Sequence, residues 1–489
     1  MLCVSILCSA LFAEPTDAYR IQHVNYNIKG STLEYPLTQA VPVDKTTVFQ
    51  NQASFSLYVE DLKVQLKNQR IFESSSIDIE YGTVGSDGII PVSLTIHTSD
   101  TWNIIALPYP KYDSNTGLEF KLKIKDYNFF GSMQELNGDL IYKVDENQKT
   151  AFNANLSFNI PFKAWEYSSN WNNDLSVSFP TGEKPQLDGS TGFNIAFPLG
   201  STAVTVGLTQ KLAVNDRNDL GPYADDPVYF NEKLYTSLPV VLARLPYFGN
   251  LAWTPTTSVT TNWSFTGIHH EDLKGIVVSW GHGFSLGRFD WLGNFRSGLI
   301  ASLDNSYSYN ISKPNNVAIT VGGEVTVFHT FLDLVGINSR LNGFYNFYGA
   351  ENLKVAENIR GILTKRVTTD TAFTLNIDLP IRIMRVNFEE ITGVHWTRLI
   401  GFEMHASPFF DMALTHDPVT GRYYSFKDGW YSGGMEILIF PMKMRSIYGR
   451  ISAGYDLVEL ARNGGKLSGD ARRDGEPINE YLLGIGLFY

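Results

Sequence analysis

The chain has 489 residues, 43% of them hydrophobic and 18% charged, with a formal net charge of −11. That acidic balance, without any basic run, excludes nucleic acid as the main partner. Aromatic residues make up 13% of the chain, with 25 Tyr and 31 Phe, a composition that suits β-structure and membrane interfaces.

The first thirteen residues, MLCVSILCSALFA, are apolar and end in small residues before Glu14. This is the length and texture of a signal-peptide core, so residues 1–13 read as a secretory signal cleaved near Ala13. Both cysteines, Cys3 and Cys8, lie inside it. The mature chain then has no cysteine, which fits export without a disulfide framework and excludes cysteine catalysis or Cys–metal sites. No later stretch of about eighteen apolar residues occurs, so no membrane-crossing helix is expected. A mean hydropathy of −0.11 suits either a soluble protein or a barrel whose strands hide their apolar side chains by alternation.

Residues 19–100 read as a small mixed domain. Val24, Tyr26 and Ile28 alternate before Gly30 as a strand. Phe55, Val59, Leu62 and Leu66 then recur at helical spacing, and Ile77, Ile79 and Tyr81 form a second strand. A third places Ile90, Val92, Leu94 and Ile96 on one face. Strand, helix, strand, strand predicts a helix-backed sheet.

From residue 116 to 489 the pattern is strand after strand. Leu118, Phe120, Leu122 and Ile124 alternate with Glu119, Lys121, Lys123 and Lys125. Phe152, Leu156 and Phe158 alternate with Asn153, Asn155, Ser157 and Asn159. Phe402, Met404, Ala406, Phe410 and Met412 oppose Glu403, His405, Ser407 and Asp411. Period two places each set on its own face. Apolar faces sustained over about ten residues match the length of a tilted membrane strand. The expected fold is therefore mostly β: a transmembrane antiparallel β-barrel preceded by one small α+β domain. At about 23 residues per strand and connection the barrel holds about sixteen strands. A soluble β-solenoid or large sandwich is the alternative.

Five stretches, LKVQLKNQRIF at 62–72, DYNFFG at 126–131, IRGI at 359–362, LNIDLPI at 375–381 and SPFFDMA at 407–413, together resemble the outer-membrane protein-assembly and two-partner-secretion superfamily, the bacterial surface antigen barrels typified by BamA and TamA. LKVQLKNQRIF, Leu62 to Phe72, looks like the closing helix and turn of a POTRA domain. DYNFFG, Asp126 to Gly131, looks like the turn after the first barrel strand. IRGI, Ile359 to Ile362, matches the family's V/I-R-G-F/Y motif, with Ile362 in place of the aromatic. The resemblance implies that this motif tips a sixth extracellular loop folded back into the lumen. SPFFDMA, Ser407 to Ala413, is similar to the strand whose aspartate, here Asp411, receives that arginine. LNIDLPI, Leu375 to Ile381, looks like the strand that holds a second acid. Asn376 stands at the acid's usual offset, and Asp378 lies two residues on.

The chemistry of these residues fits such a role. Parity places Asp411 with Glu403 and His405 on a polar face, and Asp378 with Asn376. An arginine can fork onto a carboxylate where lysine cannot, and Gly361 lets the backbone approach the wall closely. Arg360, Gly361, Asp411 and Asp378 are therefore the expected loop latch. The last strand, YLLGIGLFY, ends on Tyr489; Gly484-x-x-Leu487-x-Tyr489 resembles the terminal signal of outer-membrane barrels. Gly484 and Gly486 remove packing from the closing strand, which predicts a weak seam between last and first strands whose edges could template a client strand.

Three further motifs have blander readings. GFSLG, Gly283 to Gly287, matches a nucleophile motif but no helix follows it. HHED, His269 to Asp272, reads as a polar hairpin loop, since strand neighbours face opposite ways. ARNGGKLSGDARRDGEP, Ala461 to Pro477, reads as a hydrophilic loop.

The resemblance implies a non-enzymatic factor that needs no cofactor or metal. It would lie in the bacterial outer membrane with its POTRA domain in the periplasm. Its partners would be unfolded outer-membrane or exported protein clients and the lipid bilayer, with periplasmic chaperones or lipoproteins as further candidates. A passive porin-like channel and a surface adhesin are the alternatives, because fold alone does not assign function.

Overall fold

The computed structural model describes residues 18–144, 149–218, 221–245, 247–313, 316–347, 353–417, 420–442 and 447–487. The expected signal segment, residues 1–13, lies outside the described residues, as does Tyr489. The chain divides into two compact units, one of residues up to Asn103 plus Tyr127–Met133 and one of the remainder.

In the amino-terminal unit three strands form a sheet. Ile89–Asp100 is central, parallel to Ala18–Lys29 and antiparallel to Phe72–Tyr81. The helix Gln52–Asn68 starts where the Asn51 side chain accepts the Ser54 N–H at 2.8 Å, an N-cap that satisfies one of the helix's orphan donors. Its buried stripe is Phe55, Val59, Leu62 and Leu66, packed on Val92, Leu94 and Ile96 of the central strand. Full burial of each such side chain stabilises by about 1.5–3 kcal/mol. A short helix, Glu34–Ala40, precedes it; seven residues with one proline carry too little periodicity to be seen in the sequence.

The DYNFFG segment differs from expectation. It follows the second barrel strand, not the first, and its contacts belong to the amino-terminal unit. Asn128 Nδ2 donates to Thr32 Oγ1 at 2.7 Å, and the Leu33 N–H donates to the Gly131 carbonyl at 2.9 Å. Gly131 lies at φ +71°, where a Cβ would stand 2.0 Å from the Ser31 carbonyl oxygen. Only glycine fits there.

The second unit is a closed antiparallel barrel, which removes the solenoid and sandwich alternatives. Among the described residues it has eighteen strands, where about sixteen were expected. Two of the eighteen are interrupted: Val228–Ser237 continues as Val240–Leu245, and Thr371–Asp378 continues as Ile381–Val386 across Pro380. Two differences account for the miscount. The barrel begins at Ile104–Asp113 rather than at 116; Pro108 and Pro110 interrupt the strand signal there, since proline within a sheet is confined to strand edges. Strands are also joined at one end by very short turns, such as Trp165–Glu166 and Gly200–Ser201, with Trp165 and Gly200 at positive φ. Such tight hairpins shorten the repeat below the spacing assumed. The other end carries most of the long connections, with the 387–401 connection an exception at the short-turn end.

The outward face of the barrel is apolar: Phe120, Phe193, Leu208, Leu234 and Leu303 are each 52% exposed. A belt of this kind has no favourable partner in water and is the lipid-facing surface of a membrane barrel.

Candidate functional site

The site lies in the long connection between the thirteenth barrel strand, Val335–Phe347, and the fourteenth, which begins at Thr371. It is the seventh connection at the long-loop end rather than the sixth, because the eighteen-stranded wall has one more hairpin before it. Its tip packs on the inward face of the wall. Val355, Ile359, Ile362 and Val367 form a buried cluster with Ala372, Ala413 and Trp430. Ile362, fully buried, occupies that apolar pocket without an aromatic ring.

Arg360 is the polar centre of the loop. Its Nε and Nη2 fork onto Asp411 Oδ2 and Oδ1 at 2.8 and 2.7 Å, and its backbone N–H donates to Oδ2 at 2.8 Å. Nη1 donates to Asp378 Oδ1 at 2.6 Å and lies 3.3 Å from Glu436 Oε1. The guanidinium sits over the Phe409 ring, 3.9 Å from its centroid, a cation–π contact. Asp411 is fully buried, and Asn376, opposite it in register, uses its side-chain amide to donate to the Asn358 carbonyl at 2.8 Å. The acid beside Arg360 on that strand is therefore Asp378. Burial works against the Arg360 charge, but the Asp411 hydrogen bond and the Asp378 and Glu436 carboxylates outweigh it and hold the group above its ordinary value.

Gly361 lies at φ +83°, and a Cβ there would stand 2.5 Å from the Tyr455 nitrogen and 2.7 Å from the Gly454 carbonyl carbon. Its N–H donates to Glu480 Oε2 at 2.6 Å. The loop thus touches four consecutive strands of the wall and then the last one.

Sequence reasoning missed Glu436, Glu480 and Phe409, and a second arginine. Arg366, its side chain fully buried, donates from Nε to Asp474 at 2.8 Å and from Nη2 to Asp456 at 3.0 Å. Asp474 belongs to the segment read as a plain hydrophilic loop. That segment folds over the site, with Arg473 stacked 3.8 Å from the Trp430 centroid. The one available signal was its density of arginines and aspartates.

At the closing seam, Gly484 is buried, and a Cβ there would lie 3.4 Å from Lys111 Cγ. Tyr481 and Leu483 face outward. Gly486 and Leu487 pair with Tyr448 and Ile447 of the preceding strand. On its other edge the last strand, Asn479–Leu487, pairs with the first at Leu482–Asp113 and Leu483–Tyr112.

The other motifs are structural. Ser285 of GFSLG stands inside the continuous strand Ile276–Leu292. Within HHED, the backbone N–H groups of His269 and His270 donate to Asp226 at 3.0 and 2.6 Å. Burial would raise the Asp226 carboxyl, but those donors hold it below the usual carboxylate range.

No family model and no curated protein sequence matches the chain. Solved structures do. CdiB from Acinetobacter baumannii aligns over 96% of this chain and 74% of its own, at 12% identity and a TM-score of 0.52. CdiB from Escherichia coli aligns over 96% and 76%, at 11% identity and the same TM-score, 0.52. The chain shares the barrel fold of these two CdiB structures. A BamA from Haemophilus ducreyi lacking POTRA domains 1–3 aligns at 12% identity with a TM-score of 0.41, too low to bear on the argument.

Proposed function

We propose that the protein is a bacterial outer-membrane factor that inserts or translocates other proteins. The observation that carries this reading is the Arg360 loop: a closed, lipid-facing barrel whose interior holds a long connection by a buried guanidinium among three carboxylates. The fold shared with the CdiB structures supports the same reading.

In this account residues 19–100 act as one periplasmic POTRA domain that receives an extended exported client by strand addition. Arg360, Gly361, Asp411 and Asp378 latch the loop in the lumen, and no bond chemistry is asked of them. The seam near Gly484 and Gly486 is where the wall yields. Periplasmic chaperones or lipoproteins would deliver clients.

The test is depletion of the protein followed by a census of other outer-membrane and exported proteins. Loss of one or more of them is expected, together with a partial loss in cells carrying only Arg360→Ala. An unchanged census, with a steady open conductance in planar bilayers, would make the protein a porin-like channel.

A further inference from the structure

At the short-turn end of the barrel, turns 165–166, 200–201, 293–294 and 332–334 hold two or three residues each. Residues 387–401, between Ile381–Val386 and Phe402–Asp417, instead fold into a helical turn, Phe388–Thr392, and a 3-10 turn, His395–Ile400. Asn387 Oδ1 caps the first by accepting the Glu389 N–H at 3.2 Å. Gly393, at φ +70°, ends it and donates its N–H to the Glu389 carbonyl at 2.8 Å. The two turns are joined by polar groups. Thr392 Oγ1 and Thr397 Oγ1 are 2.9 Å apart, Thr397 Oγ1 also donates to the Val394 carbonyl at 2.6 Å, and His395 Nδ1 lies 2.7 Å from Glu389 Oε1. Thr397 is buried, whereas Ile391 is 69% and Trp396 63% exposed, with Val394 and Ile400 exposed beside them. Hydroxyls at the centre and large apolar side chains outside reverse the order that water imposes.

What surrounds this face follows from the strands that carry it. Arg382 points inward, 3.9 Å from Glu403, so its neighbours Ile381 and Ile383 point outward, and both are exposed. They belong to the apolar belt and lead directly into the 387–401 connection. On the far side Phe402 continues it, its ring 6.4 Å from that of Phe388. The short turns mark the same level independently. Trp165, Tyr247 and Leu332 stand at their tips almost wholly exposed. Trp and Tyr collect where a bilayer meets water, so this end of the barrel lies at the headgroup level. The neighbour that continuity assigns to Ile391 and Trp396 is therefore lipid.

We infer that residues 387–401 are an interfacial anchor: Ile391, Val394, Trp396 and Ile400 bury in the headgroup–acyl boundary of the leaflet at the short-turn end, and the partner of this face is phospholipid. A short folded segment with its apolar side chains outward gains by lying in the plane of the interface what it loses in water. The anchor rests on the outward belt meeting lipid and is independent of what the barrel inserts or translocates. The strand Phe402–Asp417, which carries Asp411, leaves it directly, so the anchor sets the depth in the bilayer of the wall on which Arg360 closes.

The test uses the full chain with Cys3→Ser and Cys8→Ser in phosphatidylcholine vesicles, with folding checked by heat-dependent gel migration. A nitroxide label is placed singly at Ile391→Cys or Trp396→Cys, and its collision rates with oxygen and with a water-soluble nickel chelate give its depth. Leu303→Cys in the belt and Glu60→Cys, exposed on the amino-terminal unit, calibrate lipid and water. Both labels are expected about 5–10 Å into the headgroup–acyl boundary. Chelate collisions as frequent as at Glu60 would place the face in water, and few collisions with either reagent would place it against protein; each overturns the inference. In a second arm the label sits at Ile400→Cys, with and without Ile391→Asp and Trp396→Asp together. The two aspartates are expected to shift it from the lipid value towards the aqueous one, and an unmoved label overturns the inference.

Discussion

Two parts of the barrel wall use the same period-two pattern for different ends. Between Thr150 and Val214 most inward polar groups are neutral and serve one another, and the Lys211–Asp188 ion pair is closed within the wall itself. Ser178 donates to Asn153 at 2.7 Å, Ser176 to Asn155 at 2.8 Å and Thr191 to Asn173 at 2.9 Å. Between Thr371 and Asp456 the buried inward groups include, beside neutral ones, the carboxylates of Glu403, Asp411, Glu436 and Asp456. Arg382 and Arg450 answer Glu403 and Glu436 from the wall, whereas Arg360 and Arg366 come from the inserted loop. The neutral wall is complete by itself. The charged wall is complete only with the loop in place, because a buried carboxylate without a partner is costly. Substitutions in the two should therefore differ in size.

The largest effect is expected at Asp411. Asp411→Ala leaves the Arg360 guanidinium with half its partners, a loss of about 3–5 kcal/mol for breaking a buried pair, read as a lower urea midpoint for the barrel in detergent micelles. Gly361→Ala comes next. Its Cβ has no room beside Tyr455 and Gly454, and the left-handed backbone adds strain, together about 1–3 kcal/mol; limited proteolysis of the 353–370 connection should accelerate. On the neutral wall, Ser178→Ala removes one hydrogen bond and should cost about 1 kcal/mol or less by the same urea assay. A value equal to that at Asp411 would erase the distinction between the walls.

The smallest effect is one of pH. The folded-state pKa of Asp226 is depressed, so its contribution is present above the unfolded carboxylate value of about 3.9. It is lost as pH falls through the lower folded value. The His270 amide resonance should stay at its neutral-pH position on acidification to pH 4 and move only below it. The Asp226→Asn chain should lack that transition.

The alternation that marks the barrel was legible because one face meets lipid and the other does not, which forces period two on nearly every strand. Parity alone put Asp411 with Glu403 and His405, and all three are buried. The first strand was illegible because Pro108 and Pro110 interrupt its strand signal. The strand count failed with it and with the two-residue turns. Glu436 and Glu480 were out of reach for another reason. Closure of the barrel brings Gly361 to a residue 119 positions away, and no local pattern encodes which inward acid will meet the loop. Ile362 shows the converse: an aliphatic side chain fills the apolar pocket at the motif's fourth position.

The central claim is that Arg360 keeps the loop inside the barrel. It is tested most directly by pulsed electron paramagnetic resonance between spin labels at Glu357 in the loop and Asn173 in the neutral wall, in lipid vesicles. A single narrow distance distribution is expected for the otherwise native chain, and a broad one, extended to longer distances, for Arg360→Ala. The same narrow distribution in both would contradict the account.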